Sequence, residues 1–153
     1  MSATPLPLPS PLPSNKAATS AKPSFDHERL TVYHAAIDFI TEADTIIRLL
    51  TPGRSHLSDQ LHRASTSIVL NITEGAGEYK KKEKARFYRM ARRSATECAA
   101  ILDVISKITD IDSNRIQEAR KNLIEIVAML TRMAKNLEEQ GKGEGKGKGD
   151  SHD

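Results

Sequence analysis

The stretch SIVLNITEGAGEY, residues 67–79, admits three readings, and the fold depends on which holds. Asn71-Ile72-Thr73 has the form of an N-glycosylation acceptor, which would place it in a surface loop of a secreted protein. Gly75-Ala76-Gly77 resembles the start of a phosphate-cradling loop, but such a loop follows a strand and continues to a Lys-Ser or Lys-Thr pair. No strand-period segment precedes these glycines and no such pair follows them. The third reading is the end of a helix. Ile68 and Ile72 stand one turn apart, and Gly75 or Gly77 suits a left-handed cap just past Glu74. Asn71 then falls near the buried edge of a helix, where its amide bonds backbone groups at the turn.

Outward from this point, apolar residues recur at steps of three, four and seven, the period of helices. A first segment spans about 26–50, with Leu30, Tyr33, Ile37, Ile40 and Ile47 as its expected core stripe. The residues TPGRSH (51–56) stop it, since Pro and Gly together end helices. A second runs from about Ser58 to Glu74 through Leu61, Ala64, Ile68 and Ile72. A third runs from about Lys81 to Lys107 through Phe87, Ala91, Ser94, Cys98, Leu102 and Ile105. The fourth, about 114–139, carries a regular heptad of Ile116, Ala119, Leu123, Ile126, Leu130, Met133 and Leu137. Asn114 and Gln117 have capping-box spacing at its start. Four such segments with short connections predict an all-α, up-down-up-down four-helix bundle.

Apolar residues also fall beside these stripes: Val32, Phe39, Ile46 and Leu50 in the first segment, and Ile124, Val127 and Met129 in the fourth. Leu70 points nearly opposite the core stripe of the second. Rows of this kind predict exposed apolar surface and hence self-association.

The ends differ from the middle. Residues 1–24 hold six of the seven prolines, in the run PLPLPSPLP, and residues 141–153 hold five of the eight glycines, as GKGEGKGKGD. Neither has the contiguous apolar surface that offsets the entropy of ordering a chain. The expected organisation is therefore a disordered Pro-rich tail (1–24), a bundle (25–140) and a disordered Gly/Lys-rich tail (141–153). The first tail lacks the basic start and apolar run of a secretory signal, and no run is long enough to span a bilayer. With one cysteine, Cys98, no intrachain disulfide forms, which fits a cytoplasmic protein.

Charge is unevenly placed. Between Lys80 and Arg93 the sequence has eight basic residues against one acid, Glu83, whereas residues 25–140 as a whole hold 18 basic and 17 acidic side chains. On a helical wheel Lys82, Arg86, Arg89 and Arg93 form one row opposite Phe87, Ala91 and Ser94, flanked by Lys81 and Arg92. A one-signed helix face repels itself, and an anionic partner relieves that cost. Lys81, Lys82, Arg86, Arg89, Arg92 and Arg93 are thus the candidate contacts to an RNA or DNA backbone, with Tyr79 and Tyr88 as stacking candidates. The competing reading is a solvated face neutralised by acids of neighbouring helices.

No catalytic constellation emerges. Di-iron bundles need two Glu-x-x-His pairs, and only a single Asp59-x-x-His62 is present. The histidines lack metal-ligand spacing, and Cys98 sits at a core position, where it acts as a small hydrophobe. The expectation is a non-enzyme without cofactor.

The pattern Arg63-Ala64, Ser67-Ile68, Asn71-Ile72-Thr73-Glu74-Gly75, Phe87, Ala91, Ser94-Ala95 and Glu97 resembles the family of proteins encoded in intervening sequences of bacterial 23S rRNA genes. That family includes the accessory variability determinant of diversity-generating retroelements. The resemblance implies a small bacterial four-helix bundle, a ring-like homopentamer, a basic surface suited to nucleic acid, and no known catalysis. In the retroelement branch it further implies a role as an adaptor for a reverse transcriptase. Two positions depart from the pattern: Arg93, where a small residue often precedes Ser94, and Glu78, in a loop that is often basic.

Overall fold

The computed structural model of the chain describes residues 2–10, 22 and 24–145. Four helices fill it: α1 (Thr31–Leu49), α2 (Ser55–Gly77), α3 (Lys81–Ile108) and α4 (Ser113–Glu144). Single 3-10 turns at Asp26–Arg29 and Pro52–Arg54 precede α1 and α2. Each helix packs along its neighbours in the chain, and α4 returns to pack on α1. The diagonal pairs α1/α3 and α2/α4 make no close approach. Short connections force consecutive helices antiparallel, so the result is the expected up-down-up-down bundle.

Local chemistry sets the boundaries. Leu50 is extended after α1 (φ −72°, ψ 138°), and Pro52 then opens the 3-10 turn. α4 starts one residue before the expected Asn114. Its cap is Asp112, whose carboxylate accepts a hydrogen bond from the Asn114 amide at 3.0 Å, satisfying an orphan N–H and suiting the positive end of the helix. At its other end α4 continues to Glu144, so the stretch expected to lose structure at 141 is still helical for four residues. Residues 146–153 of that tail, and 1, 11–21 and 23 of the other, lie outside the described residues.

The core confirms the stripes of α2 and α4, confirms that of α3 except at one residue, and corrects that of α1. Leu61, Ala64, Ile68 and Ile72 of α2 are buried, as are Ile116, Ala119, Leu123, Ile126 and Leu130 of α4, with Met133 and Leu137 half-buried. On α1 the buried residues are Val32, Ala36, Phe39, Ala43 and Ile46. Three of the four residues expected to lie beside the core are the core, completed by two alanines, while Leu50 is half-buried and Ile37 is exposed. On α3 Tyr88 is buried and Phe87 only half-buried. Burial of each large side chain contributes roughly 1.5–3 kcal/mol.

The opening stretch is also corrected. α2 does not close at Glu74-Gly75 but runs through Gly77, and neither glycine adopts a left-handed conformation. Gly75 is required for a different reason. A Cβ there would lie 2.6 Å from Tyr88 Cε1 and 2.8 Å from Cδ1, so the α2 backbone rests directly on the tyrosine ring. Asn71 is half-buried, and its amide donates to the Ser67 carbonyl at 2.9 Å and the Ser67 hydroxyl at 3.1 Å.

Candidate nucleic-acid interface

The turn between α2 and α3 aims the basic helix. Lys84 Nζ donates to the Gly75 and Ala76 carbonyls at 2.7 and 3.0 Å, placing a cation at the negative end of α2. Glu78 Oε1 accepts from the Tyr79 and Lys80 amides at 3.1 and 3.2 Å. One basic residue of the run therefore closes the preceding helix, and the single acid of the turn orders its backbone.

The six candidate residues divide into two groups. Lys82, Arg86 and Arg93 are exposed on the outer face of α3, and Lys82 and Arg93 make no ion pair among the described residues. Arg86 is held along its own helix. It pairs with Glu83 at 3.0 Å, and its guanidinium lies 4.8 Å from the Phe87 ring centroid. Lys81, Arg89 and Arg92 turn toward α4 and are half-buried. Lys81 bonds Glu144, Arg89 bonds Glu138, and Arg92 reaches the Thr131 hydroxyl at 3.4 Å. The row of four expected from the wheel is thus three outward residues with Arg89 drawn aside. Neutralisation by a neighbouring helix accounts for two of the six cations.

The two stacking candidates also separate. Tyr88 is buried beneath α2, and burial pushes its phenol pKa up. Tyr79 is 97% exposed beside Lys80. The positive surface extends further than the sequence alone indicated. Lys135 is exposed on α4, one turn from Thr131, the partner of Arg92, whereas Arg132 lines a depression with Arg29, Leu30 and Val32 on the α1 side. Only the register between α3 and α4 brings Lys135 to this face, and no local pattern encodes that register.

Elsewhere the chemistry is of another kind. Cys98 is fully buried, and desolvation pushes its thiol pKa up to about 12, so it is an inert core group. Between α1 and α4, burial raises the pKa of Glu42, with Glu118 and Asp38 adding to the effect and the Asn122 amide, which donates to it at 3.0 Å, opposing it. This acidic side involves α1, diagonally across the bundle from α3, so the two charge fields face apart. A depression of about 580 Å³ at the far end of the bundle is lined by Leu49, Leu50, Arg54, Ile108, Ile111 and Arg115 among others. Of its polar lining, the Thr109 hydroxyl donates to the Ile105 carbonyl and Asp112 caps α4. No group of three or more His, Cys, Asp or Glu among the described residues is arranged to hold a metal ion. No helix among them is long and apolar enough to cross a membrane.

The profile of the family described as 23S rRNA-intervening sequence protein matches residues 28–132, which takes in all of α1, α2 and α3 and most of α4. The chain belongs to this family. Among solved structures, it is similar to a Bacteroides thetaiotaomicron protein of unknown function from the S23 ribosomal protein family. The two share 20% identity with a TM-score of 0.63, over 68% of this chain and 98% of that one. At that identity the likeness shows the bundle fold alone. Among proteins with curated descriptions, none matches.

Proposed function

We propose that this member of the 23S rRNA-intervening sequence protein family is a non-enzymatic, cytoplasmic, self-associating bundle. In this reading it binds nucleic acid backbone without sequence specificity through the outer face of α3. The observation that carries the reading is the grouping of Lys82, Arg86 and Arg93 on one exposed face, with Tyr79 and Lys80 exposed at its start. Cations on a rigid helix meet successive phosphates, and an exposed aromatic stacks on any base. Self-association is supported by apolar helix side chains left in solvent, chiefly Ile124, Leu70 and Leu49 at 63, 58 and 51% exposure. Val32, Phe39 and Ile46 of the α1 row give it no support, because they are in the core. A monomer in light scattering at micromolar concentration would contradict it.

The binding test is an anisotropy titration of labelled single-stranded RNA and DNA at two salt concentrations, with wild type and Lys82→Glu/Arg86→Glu/Arg93→Glu. Wild type binds both with affinity falling as salt rises, by a log–log slope of about −0.7 per phosphate contact, and the variant loses most of this. Tyr79→Ala costs about 1–3 kcal/mol of affinity with the salt slope unchanged. Equal affinity for wild type and triple variant, or no salt dependence, overturns the reading. The basic face would then fit an adaptor docking an acidic protein, such as a reverse transcriptase.

A further inference from the structure

Along one edge of the proposed binding face lies the last part of α4, and its chemistry is that of a competitor. Residues 138–145 read EEQGKGEG, and all eight are exposed. Leu137 is the last α4 side chain with a place against the core. Past it, this segment meets α3 through Glu138 on Arg89 and Glu144 on Lys81. The helix here is intrinsically weak, since each glycine disfavours it several-fold relative to alanine. A Cβ at Gly141 or Gly143 would meet nothing within 4 Å, so packing does not require either glycine. The segment thus combines carboxylates on two of the candidate phosphate contacts with a backbone that is easily unwound.

We propose that residues Glu138–Glu144 form an electrostatic strap that occupies part of the basic face with the chain's own carboxylates and is displaced when a polyanion docks. The proposal rests on the nucleic-acid reading above. Exposed ion pairs are individually weak, so the strap lowers the apparent affinity for a polyanion without blocking the face.

The test uses the full chain, a labelled 20-nucleotide uridine RNA and two salt concentrations. Glu138→Gln/Glu144→Gln removes the carboxylates and is expected to tighten binding about three- to tenfold. It also steepens the log–log salt slope by up to about 1.4, at about 0.7 for each freed cation. Gly141→Ala/Gly143→Ala leaves the charge unchanged, strengthens the helix and is expected to weaken binding several-fold. Asp59→Asn/Glu125→Gln, two exposed acids in no ion pair among the described residues, makes the same change in net charge and controls for it. On adding RNA, the amides of 138–144 lose protection in hydrogen exchange. The strap is overturned if the Glu138/Glu144 and Gly141/Gly143 variants bind like wild type, if Asp59→Asn/Glu125→Gln gives the same gain, or if those amides gain protection. In each of these cases salt-dependent binding by wild type leaves the binding reading standing. Failure of wild type to bind RNA at either salt overturns both.

Discussion

Helix α3 packs closely on both α2 and α4 along the core, but at its N-terminal end the α2 edge is closed by small groups in contact, whereas the α4 edge carries long charged side chains reaching through solvent. On the first side Gly75 lies against the Tyr88 ring, and the Ser67 and Ser94 hydroxyls share a hydrogen bond at 2.9 Å. On the second, Arg89 and Lys81 extend to Glu138 and Glu144, whose side chains are 45 and 70% exposed. Close packing of rigid groups tolerates little displacement, so the α2 side fixes where α3 points. Exposed ion pairs exchange partners at little cost, so the α4 side leaves the cations able to meet another anion. A bundle that presents a charge row needs both kinds of seam.

The largest expected effect comes from breaking the tight side. Gly75→Val places two methyl groups where even a Cβ collides with Tyr88 and lies 3.2 Å from Phe87 Cβ. Overpacking of this kind costs about 1–3 kcal/mol, read as a lowered midpoint in urea unfolding. Pairing it with Tyr88→Leu recovers part of the loss if the ring is the obstacle. An unchanged midpoint for Gly75→Val would show that the seam is not tight.

Next in size is a contrast between two lysines two residues apart. Lys84→Met keeps the aliphatic stem but removes the donor to the Gly75 and Ala76 carbonyls. Losing charge-assisted bonds at a half-buried helix end costs about 1.5–3 kcal/mol at most, and partial exposure puts the expectation near 1 kcal/mol. Lys82→Met changes stability by less than about 0.5 kcal/mol but weakens RNA binding. If both lysines affect stability equally, or both affect binding equally, the division of the basic run into a cap and a contact face fails.

The sequence made these seams legible to different degrees, for physical reasons. On α4 and α2 the core residues are large and regularly spaced, so a single stripe stands out, from Ile116 to Leu130 and from Leu61 to Ile72. On α1 apolar residues cover about half the circumference, and periodicity cannot decide between adjacent stripes. The residues that complete the row of Val32, Phe39 and Ile46 are Ala36 and Ala43, buried side chains too small to stand out in an apolar pattern. Gly75 carried a local meaning, helix termination, and a tertiary one, room for Tyr88. Only the packing of α3 selects the second. The basic cluster was legible as a cluster. Its division was not, because Glu138 lies 49 residues from Arg89 and Glu144 lies 63 residues from Lys81.

The smallest expected effect tests the loose side. Arg89→Gln removes the pair with Glu138 while retaining hydrogen-bonding capacity and much of the side chain. Both partners of that pair are substantially exposed, with side chains at 40 and 45%. Solvent screening then holds the loss to about 0.2–1 kcal/mol, shrinking further as salt rises and the Debye length falls to about 3 Å at 1 M. A double-mutant cycle with Glu138→Gln isolates the pairwise part, since removing either partner alone also changes the helix surface. A coupling that persists undiminished at 1 M salt would mean that the pair is packed rather than floating. The two sides of α3 would then be alike, and the cations toward α4 would no longer be free to change partners.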